Sequence, residues 1–569
     1  MFHFANFGLL SVATGSYYSE YWTKLLPTRH DSETEKFSCR PFLPNIFAQH
    51  PPSIEHPSIA SASQKLGRFL STHFAAGDID SLSVAVVSAD GWLFEGNYGV
   101  VRVPVDESTR SLPPTTSDSM YRTASVSKLF NVLEGHILAE RGALSWDDPV
   151  EKYIPGFKHN AGSLTSPQDS LPSKKEPITL FQLATHMSGL ERDWPPGNVA
   201  NWPHDFRGAG PPPTNGLPFP QAAALVRSVA ENRIISPPFV WPIYSNAGTG
   251  LLGLSLLEAD RVARNVTEAV SYADLVRRDI LDPLGMNGTH SLVSERNKDL
   301  IVVPSIGPEV ADQDLLDSMN PAAGQFLSLR DLVAVTQTLV DPEHPKSVIR
   351  KATMDKWLLP VHSFDEDDWT ESGFIWEIIK APDSNKRLRK VYWKLGAMVG
   401  YHAALAIHPW MSYGVVVLLA GHFPDSAALA YSTFEIFQPA IDQALADASE
   451  TRYAGDWVNE DRNSSVSIAV SGGTLYVDRF IVDDVDILAK FGPSVRVALR
   501  WMQNEEFRLD LGLPFYNGKR HLGCYSYWAG LDAWGMRNGA ALNAIYFSGA
   551  PGSERRLQVP AIDVELARS

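Results

Sequence analysis

Apolar residues recur at helical spacing in the segment that follows Ser125. The run that begins Ser125-Val-Ser-Lys128 carries apolar side chains three and four positions apart, at Leu129, Val132, Leu133, Ile137 and Leu138. Gly142 stands where such a helix would end. The pattern predicts a helix that starts on Ser125, with Lys128 one turn away on the same face.

Strand patterns flank this helix in the sequence. Residues 81–88 and 92–99 read as two strands, and Asp90-Gly91 between them is a hairpin signal. The β-branched run 414–420 is too short to cross a membrane and predicts a buried strand. Strands and helices therefore belong to one mixed domain.

The pattern of apolar and polar residues changes after about residue 447. Apolar and polar residues alternate with period two, and turn residues separate the stretches 465–470, 473–478, 495–501, 507–511 and 557–566. This pattern predicts a separate antiparallel β-domain of the small-barrel kind.

Three regions follow from these patterns. Residues 1–60 are rich in proline and read as an arm or linker, 61–446 as the catalytic domain and 447–569 as the β-rich domain. The stretches 158–176 and 195–220 are rich in Pro, Gly, Ser and Asn and predict loops that border a cleft.

Composition and charge narrow the class of protein. The chain has 569 residues, 44% of them hydrophobic, which suits a globular enzyme with a large core. Its formal net charge of −16 argues against nucleic acid and anionic membranes as partners. No apolar run is long enough for a transmembrane helix, and oligomeric state stays open.

Two cysteines, Cys39 and Cys524, bear on the compartment. Their distance in the sequence favours two buried free thiols, with a single disulfide and an oxidising compartment as the alternative. The apolar stretch Phe2 to Ala13 has no basic residue before it and makes a poor signal peptide. Localisation is left open between the secretory route, which we favour, and the cytoplasm.

The pair Ser125 and Lys128 has a chemical meaning beyond helix formation. A serine in a first helical turn sees free backbone N–H groups and the positive end of the helix dipole. Burial lowers the pKa of a lysine, and a neutral lysine can take the serine proton. The structural alternative is a capping serine beside a solvated lysine.

Two further motifs follow in order, and the set resembles a known family. They are Tyr244-Ser-Asn246 and Lys394-Leu395-Gly396. With Ser125 and Lys128 they resemble the signatures of the serine β-lactamase and penicillin-binding-protein superfamily, on the branch of class C β-lactamases, D-alanyl-D-alanine peptidases and family VIII esterases. The resemblance spans roughly residues 65–445, and Tyr453 to Trp457 resembles the opening of appended lipocalin-like domains.

The resemblance implies a fold class. The expected class is α+β: an antiparallel sheet flanked by helices, an all-helical lobe, and an antiparallel β-barrel-like domain after them. The resemblance also implies roles for side chains. Ser125 would be the nucleophile, Lys128 and Tyr244 the proton carriers, Asn246 the group that orients the acyl chain, and Lys394 a positive charge for the leaving group or for Tyr244.

The backbone completes the implied site. By position in the third motif, the N–H groups of Ser125 and Ala397 would form the oxyanion hole. Gly396 has no side chain, so an acyl group can approach the strand closely.

The third motif departs from the family pattern at Leu395. Family members that act on penicillins and peptides carry threonine there, and its hydroxyl helps to bind a substrate carboxylate. Leucine cannot donate that hydrogen bond, and the loss of one such partner costs about 1–3 kcal/mol. Leu395 therefore favours esters or thioesters with an apolar acyl or alcohol part.

Four functions remain open at this stage. The favoured one is a serine hydrolase that cleaves a small-molecule ester or thioester through a Ser125 acyl-enzyme. An acyltransferase in secondary metabolism would use the same residues, with an alcohol in place of water. β-Lactamase or D-alanyl-D-alanine peptidase activity is weakened by Leu395, and a non-catalytic binding module is the fourth. No metal-binding motif or cofactor is expected.

Overall fold

A computed structural model describes residues 39–102, 113–159, 177–194, 203–204, 212, 217–490, 496–510, 524, 528–533, 535–550 and 554–569. The predicted arm as far as residue 38, and most of the predicted loops at 158–176 and 195–220, lie outside the described residues. The chain divides into two compact units. The first contains Ala62–Pro382 and Leu388–Phe437, and the second contains residues 39–61, Asp383–Arg387 and Gln438–Ser569.

The first unit contains more helical residues than strand residues. The bounds of its helices, with the last helix running on into the second unit, are α1 Pro57–Phe74, α2 Ser127–Glu140, α3 Leu180–Ala184, α4 Ala222–Glu231, α5 Asn246–Ala263, α6 Tyr272–Val276, α7 Asp282–Leu284, α8 Leu316–Ala323, α9 Leu329–Val340, α10 Lys351–Trp357 and α11 Ser426–Tyr453. Because the division between the units falls within α11, the predicted domain boundary at 446/447 stays a prediction.

Strands of the first unit form one large antiparallel sheet and one short ribbon. Their bounds are β1 Ile79–Ser88, β2 Gly91–Gly99, β3 Met120–Arg122, β4 Phe326–Ser328, β5 Pro360–Ser363, β6 Thr370–Gly373, β7 Glu377–Pro382, β8 Leu388–Met398, β9 Tyr401–His408 and β10 Tyr413–Gly421. In the described residues the sheet has the order β2-β1-β10-β9-β8-β7-β6-β5, and β3 pairs with β4. The predicted hairpin is β1–β2, and the predicted buried strand is β10.

The helical lobe is built around α2. Residues 127 to 138 of α2 are buried on every side, so this helix runs through the core and not along the surface. It packs against α5 and α8, which also pack against each other, while α9 covers β1, β9 and β10. Gly142 has a φ of 75°, so the helix ends where the sequence predicted. Sheet, flanking helices and helical lobe confirm the predicted fold class.

The second unit contains a closed antiparallel barrel. Its strands are β11 Gly455–Asn459, β12 Ser464–Ser471, β13 Thr474–Val482, β14 Val485–Asp486, β15 Val497–Trp501, β16 Glu506–Asp510, β17 Met536–Arg537, β18 Ala540–Ala541, β19 Ala544–Ser548, β20 Arg556–Val559 and β21 Val564–Arg568. Eight of those described, β11, β12, β13, β15, β16, β19, β20 and β21, pair in sequence order, and β21 pairs with β11 to close the ring. The predicted barrel is confirmed.

One predicted strand of the barrel is in fact two. The alternating stretch 557–566 contains Pro560, which has no N–H group to donate to a ladder. A short 3-10 turn, Pro560–Ile562, separates β20 from β21, and Asp563 takes a left-handed φ of 52°. The alternation continues on both sides of the turn because both strands bury one face in the barrel.

The expectation of two free thiols is wrong. Cys39 and Cys524, both in the second unit, form a disulfide with their Cα atoms 5.4 Å apart. A disulfide needs Cα atoms within roughly 7 Å of each other, and a sequence separation of 485 residues carries no information about that distance. The described part of the predicted arm is held at the barrel, where Thr474 donates to the carbonyl of Pro41.

No helix among the described residues has both the length and the apolar character that a membrane span requires.

Candidate active site

The chain presents Ser125 on a constrained turn between β3 and α2. Residues Ala124–Val126 form a 3-10 turn. Ala124 has a φ of 45°, a backbone conformation that residues other than glycine rarely adopt. The turn is held from both sides, since the N–H of Thr123 donates to the carbonyl of Gln325 and the N–H of Gln325 donates to Ser127 Oγ. α2 therefore begins at Ser127, two residues after the predicted start.

Lys128 is fully buried and points at Ser125. Its Nζ lies 2.9 Å from Ser125 Oγ, 2.7 Å from Asn246 Oδ1 and 2.8 Å from the carbonyl oxygen of Ala322. Burial lowers the pKa of Lys128, and the positive charge of Lys394 acts in the same direction. A neutral Lys128 can donate to Asn246 and Ala322 and accept the Ser125 proton with its lone pair.

Tyr244 lies among three basic side chains. The centroid of its ring is 5.0 Å from Lys128 Nζ, 5.2 Å from Lys394 Nζ and 4.9 Å from Arg192 Cζ, and the His186 ring lies tilted over it at 4.5 Å. Burial raises the pKa of Tyr244, but the two lysines outweigh burial and the net shift is downward. The phenol is therefore a better proton carrier near neutral pH than an isolated tyrosine.

Lys394, on β8, is the second buried lysine. Its Nζ lies 2.6 Å from Oε1 of Glu377 on the neighbouring strand β7, and the N–H of Leu395 donates to the other carboxylate oxygen at 3.3 Å. Burial alone would lower the pKa of Lys394, but Glu377 reverses the shift and raises it. Lys394 is thus held as a cation.

Asn246 is the first residue of α5. Ser245 caps this helix by accepting the N–H of Gly248 at 2.8 Å. The N–H of Asn246 donates to the carbonyl of Arg192 at 2.7 Å, and its side-chain amide bridges Lys128 and Asp193.

Gly396 allows β8 to lie against the turn that carries Ser125. A Cβ atom at position 396 would overlap the carbonyl oxygen of Thr123 and come 3.1 Å from the Ser125 nitrogen. Ala397 follows directly and is exposed. The close approach explains the glycine, while the use of the Ala397 N–H as an oxyanion donor stays a prediction.

The structure thus brings Ser125, Lys128, Tyr244, Asn246 and Lys394 together, with Gly396 behind the nucleophile. Three charged residues that contact the site lie outside the three motifs, so motif spacing did not predict them: Arg192, Asp193 and Glu377. Only the first two could have been suspected, because they lie between the stretches 158–176 and 195–220, which were predicted to border the cleft. No cluster of His, Cys, Asp or Glu suited to a metal ion occurs in the part of the chain that the structure describes.

Comparison with known proteins identifies the family. The model of the β-lactamase family matches residues 66–436, which is more than half of the chain. The chain belongs to the β-lactamase family. This family acts through a nucleophilic serine, and the membership supports serine hydrolase or acyl-transfer chemistry in general for this protein.

Relatives and solved structures agree with this membership. The chain is 34% identical over 311 residues to the β-lactamase-like protein str6 of Strobilurus tenacellus, covering 52% of this chain and 98% of that protein. It is 28% identical over 179 residues to lovastatin esterase of Penicillium rubens, covering 30% of this chain and 40% of that enzyme. The octameric penicillin-binding protein homologue from Pyrococcus abyssi shares the fold, with a TM-score of 0.51, 18% identity, and coverage of 89% of this chain and 99% of that chain.

Proposed function

We propose that this family member is a serine hydrolase that cleaves an ester or thioester bond of a small molecule through an acyl-enzyme on Ser125. The observation that carries the proposal is the 2.9 Å approach of a fully buried lysine to Ser125 Oγ. Its other partners, Asn246 Oδ1 and the carbonyl oxygen of Ala322, are neutral. A lysine in such surroundings is suited to act as a base and not as a surface charge.

The proposed reaction has two halves. Ser125 Oγ attacks the carbonyl carbon as Lys128 or Tyr244 takes its proton, and the N–H groups of Ser125 and Ala397 stabilise the negative oxygen of the tetrahedral intermediate. The intermediate collapses, the leaving alcohol or thiol takes a proton from Tyr244, and the acyl group stays on Ser125. Water activated by the same groups then releases the acid.

Two features support an apolar substrate. Leu395 cannot recognise a carboxylate as the family threonine does. In addition, the segment that leads to Tyr244 exposes apolar side chains: Ile235, Phe239, Val240 and Trp241. The relative from Penicillium rubens, whose name describes it as an esterase, is consistent with ester chemistry on small molecules.

The test is intact-protein mass spectrometry after incubation with a fluorophosphonate and with p-nitrophenyl butyrate. We expect one adduct on the wild type, together with p-nitrophenol release, and neither for Ser125→Ala. Ser71→Ala is the matched control, because it removes an exposed serine hydroxyl on α1 and should still take the label. No adduct and no turnover from folded wild type would contradict the proposal and favour a binding module.

The same assay separates the related activities. Added alcohol that diverts the acyl group from water to an ester product would indicate an acyltransferase. Hydrolysis of a chromogenic cephalosporin at a rate comparable to that of the ester would contradict the role given to Leu395.

A further inference from the structure

The Asn246 amide is held in one orientation by two neighbours of opposite hydrogen-bonding character. Its oxygen accepts a hydrogen bond from Lys128 Nζ at 2.7 Å, and its nitrogen donates to Oδ1 of Asp193. A carboxylate can only accept, so the amide nitrogen must face Asp193 and the oxygen must face Lys128. The carboxylate of Asp193 is buried, so water does not compete freely for this contact.

The backbone holds Asp193 in this place. The carbonyl of Arg192 accepts the N–H groups of Asn246, at 2.7 Å, and of Ala247, at 3.3 Å. N–H groups in the first turn of a helix have no partner within the helix, so these bonds fasten the chain before Asp193 to the start of α5. The second oxygen of Asp193 lies 3.5 Å from Arg192 Nε.

We propose that Asp193 is a positioning residue, which fixes the Asn246 amide so that its oxygen faces Lys128 and keeps the lysine against Ser125. The proposal rests on the proposed function, since it assigns Asp193 a part in the same reaction. Asp193 acts through Asn246 and need not touch the substrate. A hydrogen-bonded series therefore runs from Asp193 through Asn246 and Lys128 to Ser125.

Removal of the carboxylate has a defined consequence. With Asn at position 193 the Asn246 amide can turn over, and its nitrogen would then face Lys128 and disfavour the ammonium form. The pKa of Lys128 would then fall further, because the ammonium form loses an acceptor. The ionisable groups that act on Lys128 or share its surroundings are Tyr244, Lys394, Arg192 and His186, and all of them remain in the variant.

The experiment compares Asp193→Asn and Asp193→Ala with wild type in p-nitrophenyl butyrate hydrolysis across pH. We expect kcat to fall about 10- to 100-fold with KM little changed, because a hydrogen bond to a charged group is lost away from the substrate. We also expect the acidic limb of the kcat/KM profile to move to lower pH. Asp331→Asn, which removes a buried carboxylate bonded to Thr289, is the control and should leave the limb in place.

A second measurement decides the case without turnover. The pKa of Lys128 is followed by NMR of 13C-labelled lysine, with the signal assigned by Lys128→Arg, and should be lower in both Asp193 variants. An unchanged pH profile and an unchanged Lys128 titration would overturn the proposal. If wild type neither turns over the ester nor takes the fluorophosphonate, the proposed function fails, and the Lys128 titration still decides the role of Asp193.

Discussion

At the scale of single residues, the pKa values of the two buried lysines of the candidate site shift in opposite directions. Both are fully buried, yet the pKa of Lys128 is lowered and that of Lys394 is raised. The difference is the carboxylate of Glu377, which lies 2.6 Å from Lys394. One lysine is therefore suited to be a neutral base, and the other to be a permanent positive charge.

Glu377→Gln tests this division of roles. Glu377 raises the pKa of Lys394, so its removal should lower that pKa towards the direction that burial alone imposes. We expect NMR of 13C-labelled lysine to show a lower pKa for Lys394 in the variant than in wild type.

A matched control exists on the neighbouring strand. Glu371 on β6 pairs with Lys380 and Lys390, and Glu371→Gln removes a comparable charge from another cluster. The pKa of Lys394 should be unchanged in this variant. An unchanged or higher pKa of Lys394 in Glu377→Gln would contradict the role given to Glu377.

At the scale of elements, α2 follows the proposed nucleophile and carries a buried carboxyl group in its middle. Ser125 lies in the turn before it, while Glu134 is fully buried within it. Burial, and then the negative charge of Asp279, raises the pKa of Glu134 well above its ordinary value. A carboxyl group of this kind stabilises the fold in its protonated form, and that stability is lost as pH rises through the folded-state pKa.

Glu134→Gln should therefore stabilise the protein at neutral pH. The amide occupies the same space and has no charge to bury. We expect the Tm of the variant, relative to wild type, to increase as pH is raised from about 4 to about 8, measured by thermal unfolding at each pH.

Glu140, the last residue of the same helix, provides a control whose pKa shifts in the opposite direction. Burial raises the pKa of Glu140, but hydrogen bonds from Thr353 and Arg350 outweigh it, and the net shift is downward. Its stabilisation is present above the unfolded-state pKa and is lost as pH falls. Glu140→Gln should thus lower Tm at neutral pH, and its difference in Tm from wild type should shrink as pH falls through the folded-state pKa. The same pH trend in both variants would contradict this assignment.

At the scale of the whole molecule, the second unit contains both a closed sheet and a disulfide. Its eight-stranded ring leaves no free edge among the barrel strands described, and the Cys39–Cys524 disulfide joins residues 485 positions apart. A cross-link of this span restricts the unfolded chain strongly.

Cys39→Ser should lower the free energy of unfolding by about 2–5 kcal/mol, since a native disulfide typically contributes that much. Denaturant unfolding of wild type and variant measures the difference, and reduction of the wild type should reproduce it. Alkylation of the denatured, unreduced protein should find no free thiol. Two alkylated cysteines would show that the bond does not form.

Local patterns in the sequence account for much of the fold. The apolar spacing after Ser125, the Asp90-Gly91 turn and the alternation after residue 447 each correspond to a helix, a hairpin or barrel strands in the structure. The one strand predicted over 557–566 was wrong for a local reason as well. The alternation continues across a turn, and Pro560 itself indicates that turn.

The elements and the candidate reactive residues could be predicted from the sequence, because periodicity and motif order are properties of neighbouring positions. The surroundings of those residues became known from the folded chain. Ser125, Tyr244 and Lys394 are more than a hundred positions apart, and Glu377 and Asp193, which bond to Lys394 and to Asn246, lie outside every motif. The pKa of a side chain depends on burial and on the charges packed around it, and the disulfide depends on a distance across the fold.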